Sequence, residues 1–289
     1  MRSYLDCTPC FVRQALDAVR KATGDVAVHE RVMRRVLAEL ARFSFEQPPP
    51  VMGCCIHRII REQTGNADPY REAKAASNRL ALKLAGELES KVGGAANGFQ
   101  RALRLALAAN VIDLGAKAAG DVDEAAVKAE LVRALTAPLD AAAVGRLRSA
   151  LDAAESVLYL TDNAGEIVFD RLLIERLAPR RVTVGVRGAP VINDATMEDA
   201  EAVGLTDLAE VITNGSATPG TVLSECPPEF RRCFERADVV ISKGQGNYET
   251  LSTERRPGLF FLLRAKCLVL ARDLGCEMGD LVVREAGAD

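Results

Sequence analysis

Ser156-Val157-Leu158-Tyr159-Leu160-Thr161-Asp162-Asn163-Ala164-Gly165-Glu166 opens the second half of the chain, and the fold turns on how it is read. Ser156 to Leu160 is a short apolar run of β-prone residues. Beyond the stretch, Ile167, Val168, Leu172, Leu173 and Leu177 recur at helical spacing. The pattern predicts a strand, a tight turn and a helix, with Asp162 and Asn163 at the strand's carboxyl end. In open α/β sheets ligands gather there, because strand ends and helix N-termini converge. Gly165 lets the backbone approach whatever is bound. Asp162 is equally placed to cap the following helix.

The same alternation continues outward from this stretch. Strand-like runs fall at Arg181–Val186, Glu210–Thr213, Val239–Ser242, Leu259–Leu263 and Leu281–Arg284. Helical runs fall between them at Glu166–Leu177, Thr196–Ala202, Glu229–Glu235 and Lys266–Leu274. The fold class this predicts is α/β, a doubly wound, mostly parallel sheet with helices on both faces. With parallel strands, three further loops open on the edge that carries Asp162 and Asn163. They are Arg187-Gly188-Ala189-Pro190-Val191-Ile192-Asn193-Asp194-Ala195-Thr196, Thr213-Asn214-Gly215-Ser216 and the glycine-rich Ser242-Lys243-Gly244-Gln245-Gly246-Asn247-Tyr248.

Upstream, residues 1–154 read as an alanine- and leucine-rich helical domain, and 155–289 as the α/β domain. Helices are predicted over Phe11–Lys21, Arg31–Phe45, Val51–Gln63, Tyr70–Lys91, Phe99–Ile112, Glu124–Leu135 and Ala141–Ala154. Asn110 and Asp113 close the fifth of these one turn apart and share a face. They are placed either to satisfy its last carbonyls before Gly115 or to enter a site.

Composition bounds the function. Of 289 residues 48% are hydrophobic and 27% charged, which describes a globular chain with a sizeable core. A formal net charge of −3 leaves no footprint for nucleic acid or anionic membranes. No apolar run reaches membrane-spanning length, and no signal peptide is evident. Eight cysteines without an export signal point to reduced thiols and the cytoplasm. Cys7-x-x-Cys10 with Cys54-Cys55-x-His57 is a candidate zinc, iron–sulfur or redox set, set against the ordinary role of cysteine as a small core residue. His29 reads as a surface or capping residue.

Carboxylate and amide oxygens of Asp162, Asn163 and Asp194 are the ligands hard divalent cations prefer. Lys243, among glycines, offers a cation to an anionic phosphoryl group. Together these are the equipment of phosphoryl transfer. No P-loop occurs, the turn after the first strand is not G-x-G-x-x-G, and no G-x-S-x-G elbow is present. With both histidines in the helical half, a Ser-His-Asp hydrolase would need a triad built across domains.

Three motifs in this order, Thr161-Asp162-Asn163-Ala164-Gly165-Glu166, the Gly188 to Thr196 segment and the Ile241 to Tyr248 segment, resemble the damage-control phosphatase family. Cys7-x-x-Cys10 resembles its stand-alone archaeal and bacterial branch, and Asn110 to Asp113 is a further match. The resemblance covers nearly the whole chain. It implies a helical N-terminal region on a Rossmann-like domain and a divalent metal (magnesium, manganese, cobalt or nickel) held by Asp162, Asn163 and Asp194. It also implies a phosphate contact from Lys243, with Asp162 and Lys243 catalytic. Glu166, Asn193, Asn247, Asn110 and Asp113 are implied as residues lining the cleft. The reaction implied is hydrolysis of small phosphorylated metabolites, by a metal-activated water or through an aspartyl-phosphate. Carboxyl methylation and a non-catalytic cysteine-based metal module are the alternatives; no clear glycine-rich methyl-donor loop is evident.

Overall fold

The computed structural model describes residues 1–92, 98–111 and 123–287. Six strands form one sheet in the order β3-β2-β1-β4-β5-β6, with β1 Ser156–Leu160, β2 Arg181–Val186, β3 Glu210–Thr213, β4 Val239–Lys243, β5 Leu259–Arg264 and β6 Leu281–Glu285. β1 to β5 are parallel, and β6 closes the edge antiparallel to β5. The chain winds from β1 outward to β3, then restarts beside β1 with β4. The sheet's topological switch therefore lies between β1 and β4, the place where open α/β sheets bind their ligands.

Helices cover both faces. Strand side chains alternate across the sheet, so Val157 and Tyr159 of β1 enter one core while Leu158 and Leu160 enter the other. The first core is filled by α4 (Arg71–Val92), α5 (Gly98–Ala108), α6 (Glu124–Ala134), α7 (Ala141–Ala153), α8 (Glu166–Ile174) and α9 (Met197–Ala202). The second is filled by α10 (Pro228–Arg236), α11 (Gly244–Leu251) and α12 (Leu268–Leu274). The fully buried middle strands explain why β4 and β5 read as continuous apolar runs.

The first three helices, α1 (Thr8–Ala22), α2 (Val26–Leu40) and α3 (Pro49–Thr64), share a third core of their own. In α2, Val28, Val32, Val36 and Leu40 repeat every fourth residue and are buried. The Asp25 carboxylate accepts the Ala27 and Val28 N–H groups, so this helix begins five residues before the predicted Arg31 and stops at Leu40 rather than Phe45. Ile192 packs onto this third core and Arg61 donates to the Pro190 carbonyl, which anchors the loop after β2 from above. His29 meets the Thr23 carbonyl at the end of α1.

One expected loop is not a loop. Gly244 to Leu251 is helix α11, and Lys243 is the last residue of β4. Gly244 and Gly246 lower helix propensity, but Tyr248 and Leu251 are buried in the second core and tertiary packing prevails. No described helix is long and apolar enough to cross a membrane.

Candidate active site

The turn after β1 is locked from both sides. The Ala164 N–H donates to the Asn193 carbonyl at 2.9 Å and the Ala195 N–H to the Asp162 carbonyl at 2.8 Å, pairing Asn163 with Asp194 in an isolated bridge. Gly165 stands at φ +78°, where a side chain is strained and a Cβ would meet Ser77 at 3.0 Å. Its N–H donates to Asn78 Oδ1 at 2.7 Å. Gly165, not Asp162, occupies the N-cap of α8, and Asp162 is thereby free of capping. The β2 loop carries its own strain, with the β-branched Ile192 at φ +47° beside Asn193 and Asp194.

Asp162, Asn163 and Asp194 are all buried, and the paired turns bring them together at the carboxyl edge of the sheet. Asn163 Nδ2 donates to Asp162 Oδ2 at 2.7 Å and to Glu166 Oε2 at 3.2 Å. What Asn163 can offer a ligand is therefore its carbonyl oxygen. Asn110, in the 3-10 turn that follows α5, donates to the same two carboxylates, at 3.3 Å and 2.8 Å. Its own Oδ1 is buried without a partner. Asp113 lies outside the described residues. Asn193 is buried, and its carbonyl holds the turn.

Charge is unbalanced here. Burial pushes the Asp162 carboxyl well above the usual carboxylate range, and the like charges of Glu166 and Asp194 push it further. Asp194 is also raised by burial, against the opposing pull of the Arg187 guanidinium. Gly244 at φ +80° presses its backbone against Asp162, for a Cβ there would stand 2.1 Å from the carboxylate. Buried hard oxygen donors in negative excess, with an unpartnered amide oxygen beside them, fit a divalent cation.

Lys243 sits elsewhere than its sequence context suggested. It is fully buried, and its ammonium donates to Glu166 Oε1 at 2.6 Å, Asp170 Oδ1 at 2.5 Å and the Ala106 carbonyl at 2.9 Å. All three ammonium protons are thus engaged inside the protein. Burial raises the Glu166 pKa, but the Lys243 charge and hydrogen bonds from Lys243 and Asn110 outweigh it, and Glu166 stays below its ordinary value. Asp170 is pushed up to about 6 by burial despite Lys243, with the Tyr159 hydroxyl donating to it at 2.7 Å. Asn247 is likewise engaged within the protein. Its Nδ2 donates to the Thr161 and Lys243 carbonyls at 2.9 and 2.7 Å, tying β1 to β4 across the switch point.

Two cations at this edge were missed by sequence reasoning. Arg187 immediately follows β2 and is buried, with Nε donating to Asp194 Oδ2 at 2.6 Å. Lys266 follows β5, is exposed, and its charge is felt by Asp162, Glu166 and Asp194. Both follow the positional rule that singled out Asp162, the carboxyl end of a parallel strand. Asp170 could have been found as the residue one helical turn beyond Glu166.

The cysteine set does not assemble. His57 is buried, its pKa lowered to about 3 by burial and by Arg61, and it packs against Tyr70. Among the described residues, no three His, Cys, Asp or Glu side chains are grouped to hold a metal ion. The Asp162, Asn163 and Asp194 set contains an amide and so lies outside that grouping.

Comparison with known proteins places the whole chain. The ARMT1-like damage-control phosphatase domain matches residues 3–282. The chain belongs to the damage-control phosphatase family. A damage-control phosphatase of Pyrococcus horikoshii is 35% identical over 287 residues, covering 98% of this chain and 97% of that protein. A damage-control phosphatase of Archaeoglobus fulgidus is 33% identical, covering 96% and 97%. The crystal structure of a DUF89 family protein from P. horikoshii superposes with a TM-score of 0.90 at 34% identity over 99% of both chains. The family assignment thus spans the helical half as well as the sheet.

Proposed function

We infer that this chain is a metal-dependent phosphatase that hydrolyses small phosphomonoesters, with the cation held by Asp162, Asn163 and Asp194. The observation that carries the reading is the pair of buried, mutually repelling carboxylates at the carboxyl ends of β1 and β2. Such a pair is costly to bury unless a cation neutralises it. The oxygen donors suit magnesium or manganese, and cobalt or nickel accept the same set. When bound, the cation supplies a Lewis acid for the charged phosphoryl oxygens.

The remaining residues prepare that place. Glu166 orients the amides of Asn110 and Asn163. Lys243, with Asp170 beneath it, keeps Glu166 ionised, and it acts through Glu166 rather than on substrate. We assign the phosphate contact to Lys266, an exposed residue just after β5 whose charge bears on Asp162 and Asp194. Eight free thiols and family relatives named as phosphatases agree with a cytoplasmic enzyme acting on phosphorylated metabolites.

Phosphate release from a panel of phosphomonoesters, in chelator and then with each metal, tests the assignment. Release that requires metal and disappears in Asp162→Ala, with an unchanged circular dichroism spectrum, is the expected result. Near-normal metal-dependent turnover by that variant would overturn it.

A further inference from the structure

We propose that Arg187 is the positioning residue that sets the spacing between the two anionic cation ligands, Asp162 and Asp194. This rests on the cation reading of the site, but not on which substrate is cleaved.

The guanidinium reaches four groups on four segments. Nε donates to Asp194 Oδ2 at 2.6 Å, Nη2 to the Thr161 carbonyl at 3.4 Å and to Asn247 Oδ1 at 3.3 Å, and Nη1 to Thr221 Oγ1 at 3.4 Å. Thr161 adjoins Asp162 in the chain. One rigid, planar group therefore touches the carboxylate of one ligand and the backbone leading into the other. The secondary contacts brace each other, since the Thr221 hydroxyl donates to Asn247 Oδ1 at 2.8 Å and Asn247 Nδ2 donates to the same Thr161 carbonyl. The Gly220 N–H also donates to the Asp194 carboxyl, so that carboxylate is held by two fixed donors.

The need for such a brace follows from charge. Without a cation, Asp162 and Asp194 repel one another in a buried site. Side chains of two adjacent loops would relieve that repulsion by rotating apart, and each binding event would then have to draw them back. Arg187 removes that reorganisation because its fork is already satisfied in the geometry that keeps the loops together. A lysine keeps the charge but cannot span Asp194, Thr161 and Asn247 at once.

Manganese titrated calorimetrically into metal-free protein, without substrate, reads this out. Arg187→Lys leaves the local charge unchanged, so a weaker isotherm reports lost positioning. We expect the dissociation constant to rise about tenfold, the manganese concentration for half-maximal turnover to rise in step, and kcat at saturating manganese to stay within about threefold. Thr221→Val, which removes only the hydroxyl between Arg187 and Asn247, moves the isotherm the same way by a smaller factor and covers the case in which Arg187→Lys fails to fold. A merely structural arginine would lower the melting temperature and leave the dissociation constant within twofold, which overturns the proposal. So does a wild-type protein that binds no manganese. Binding without hydrolysis of any phosphomonoester would refute the phosphatase reading and leave the role of Arg187 measured.

Discussion

Replacing Lys243 by Met separates a lysine that contacts substrate from one that holds buried acids together. The side chain is fully buried, and Glu166 and Asp170, its two carboxylate partners, are 2% and 0% exposed. Methionine has nearly the same length but no charge, so the substitution strands both acids. Removing one partner from a buried ion pair costs about 3–5 kcal/mol, and here two carboxylates lose their counter-ion. Asp170 already titrates at about 6 in the folded chain, above the ordinary 3.8, because burial outweighs Lys243. A raised acid binds protons more tightly when folded, so it erodes stability as pH rises from 3.8 to about 6, and no further above that. Without Lys243 the folded value moves higher, and the erosion continues past pH 6. Urea unfolding at pH 6 and pH 8 reads both effects. We expect Lys243→Met to lose at least about 3 kcal/mol, more at pH 8 than at pH 6, with much of it recovered when Asp170→Asn is added. A loss below about 1 kcal/mol at both pH values, together with a large rise in KM, would refute this account and return Lys243 to the phosphate.

Three further outcomes follow from the same geometry. Lys266→Met should raise KM for a phosphomonoester about tenfold, with the wild-type advantage shrinking at high salt, while unfolding stability stays within about 0.5 kcal/mol. Asp162→Asn ends the repulsion from Glu166 and Asp194, so by urea unfolding the metal-free protein should be more stable than wild type, by on the order of 1 kcal/mol, yet gain nothing from added manganese. Gly244→Ala places a methyl on the Asp162 carboxylate at a φ of +80°, and should cost about 1–3 kcal/mol along with manganese binding by calorimetry. A Gly244→Ala protein with normal binding would show that the β4–α11 junction does not shape the site.

Much of the fold was legible because its signals are local. β1, β2 and β3 begin and end where the apolar runs do, since strand periodicity and turn residues act over a few neighbours in the chain. The convergence of Asp162, Asn163 and Asp194 followed from one topological fact, that parallel strands share a carboxyl edge. The work done by each charge was not legible. Lys243 among glycines reads as a loop cation, and only the packing of α5 and α8 onto β4 brings Ala106, Glu166 and Asp170 to its ammonium. Arg187 and Asp194 are seven residues apart, but the grip on Thr161, Thr221 and Asn247 reaches across 26 to 60 residues. Chain order determined the strands and which edge carries the polar turns, but not helix α11, which forms on packing into the second core. Tertiary structure decided which ions face one another, because burial and partner distance, not neighbours in sequence, set the energy of a charge.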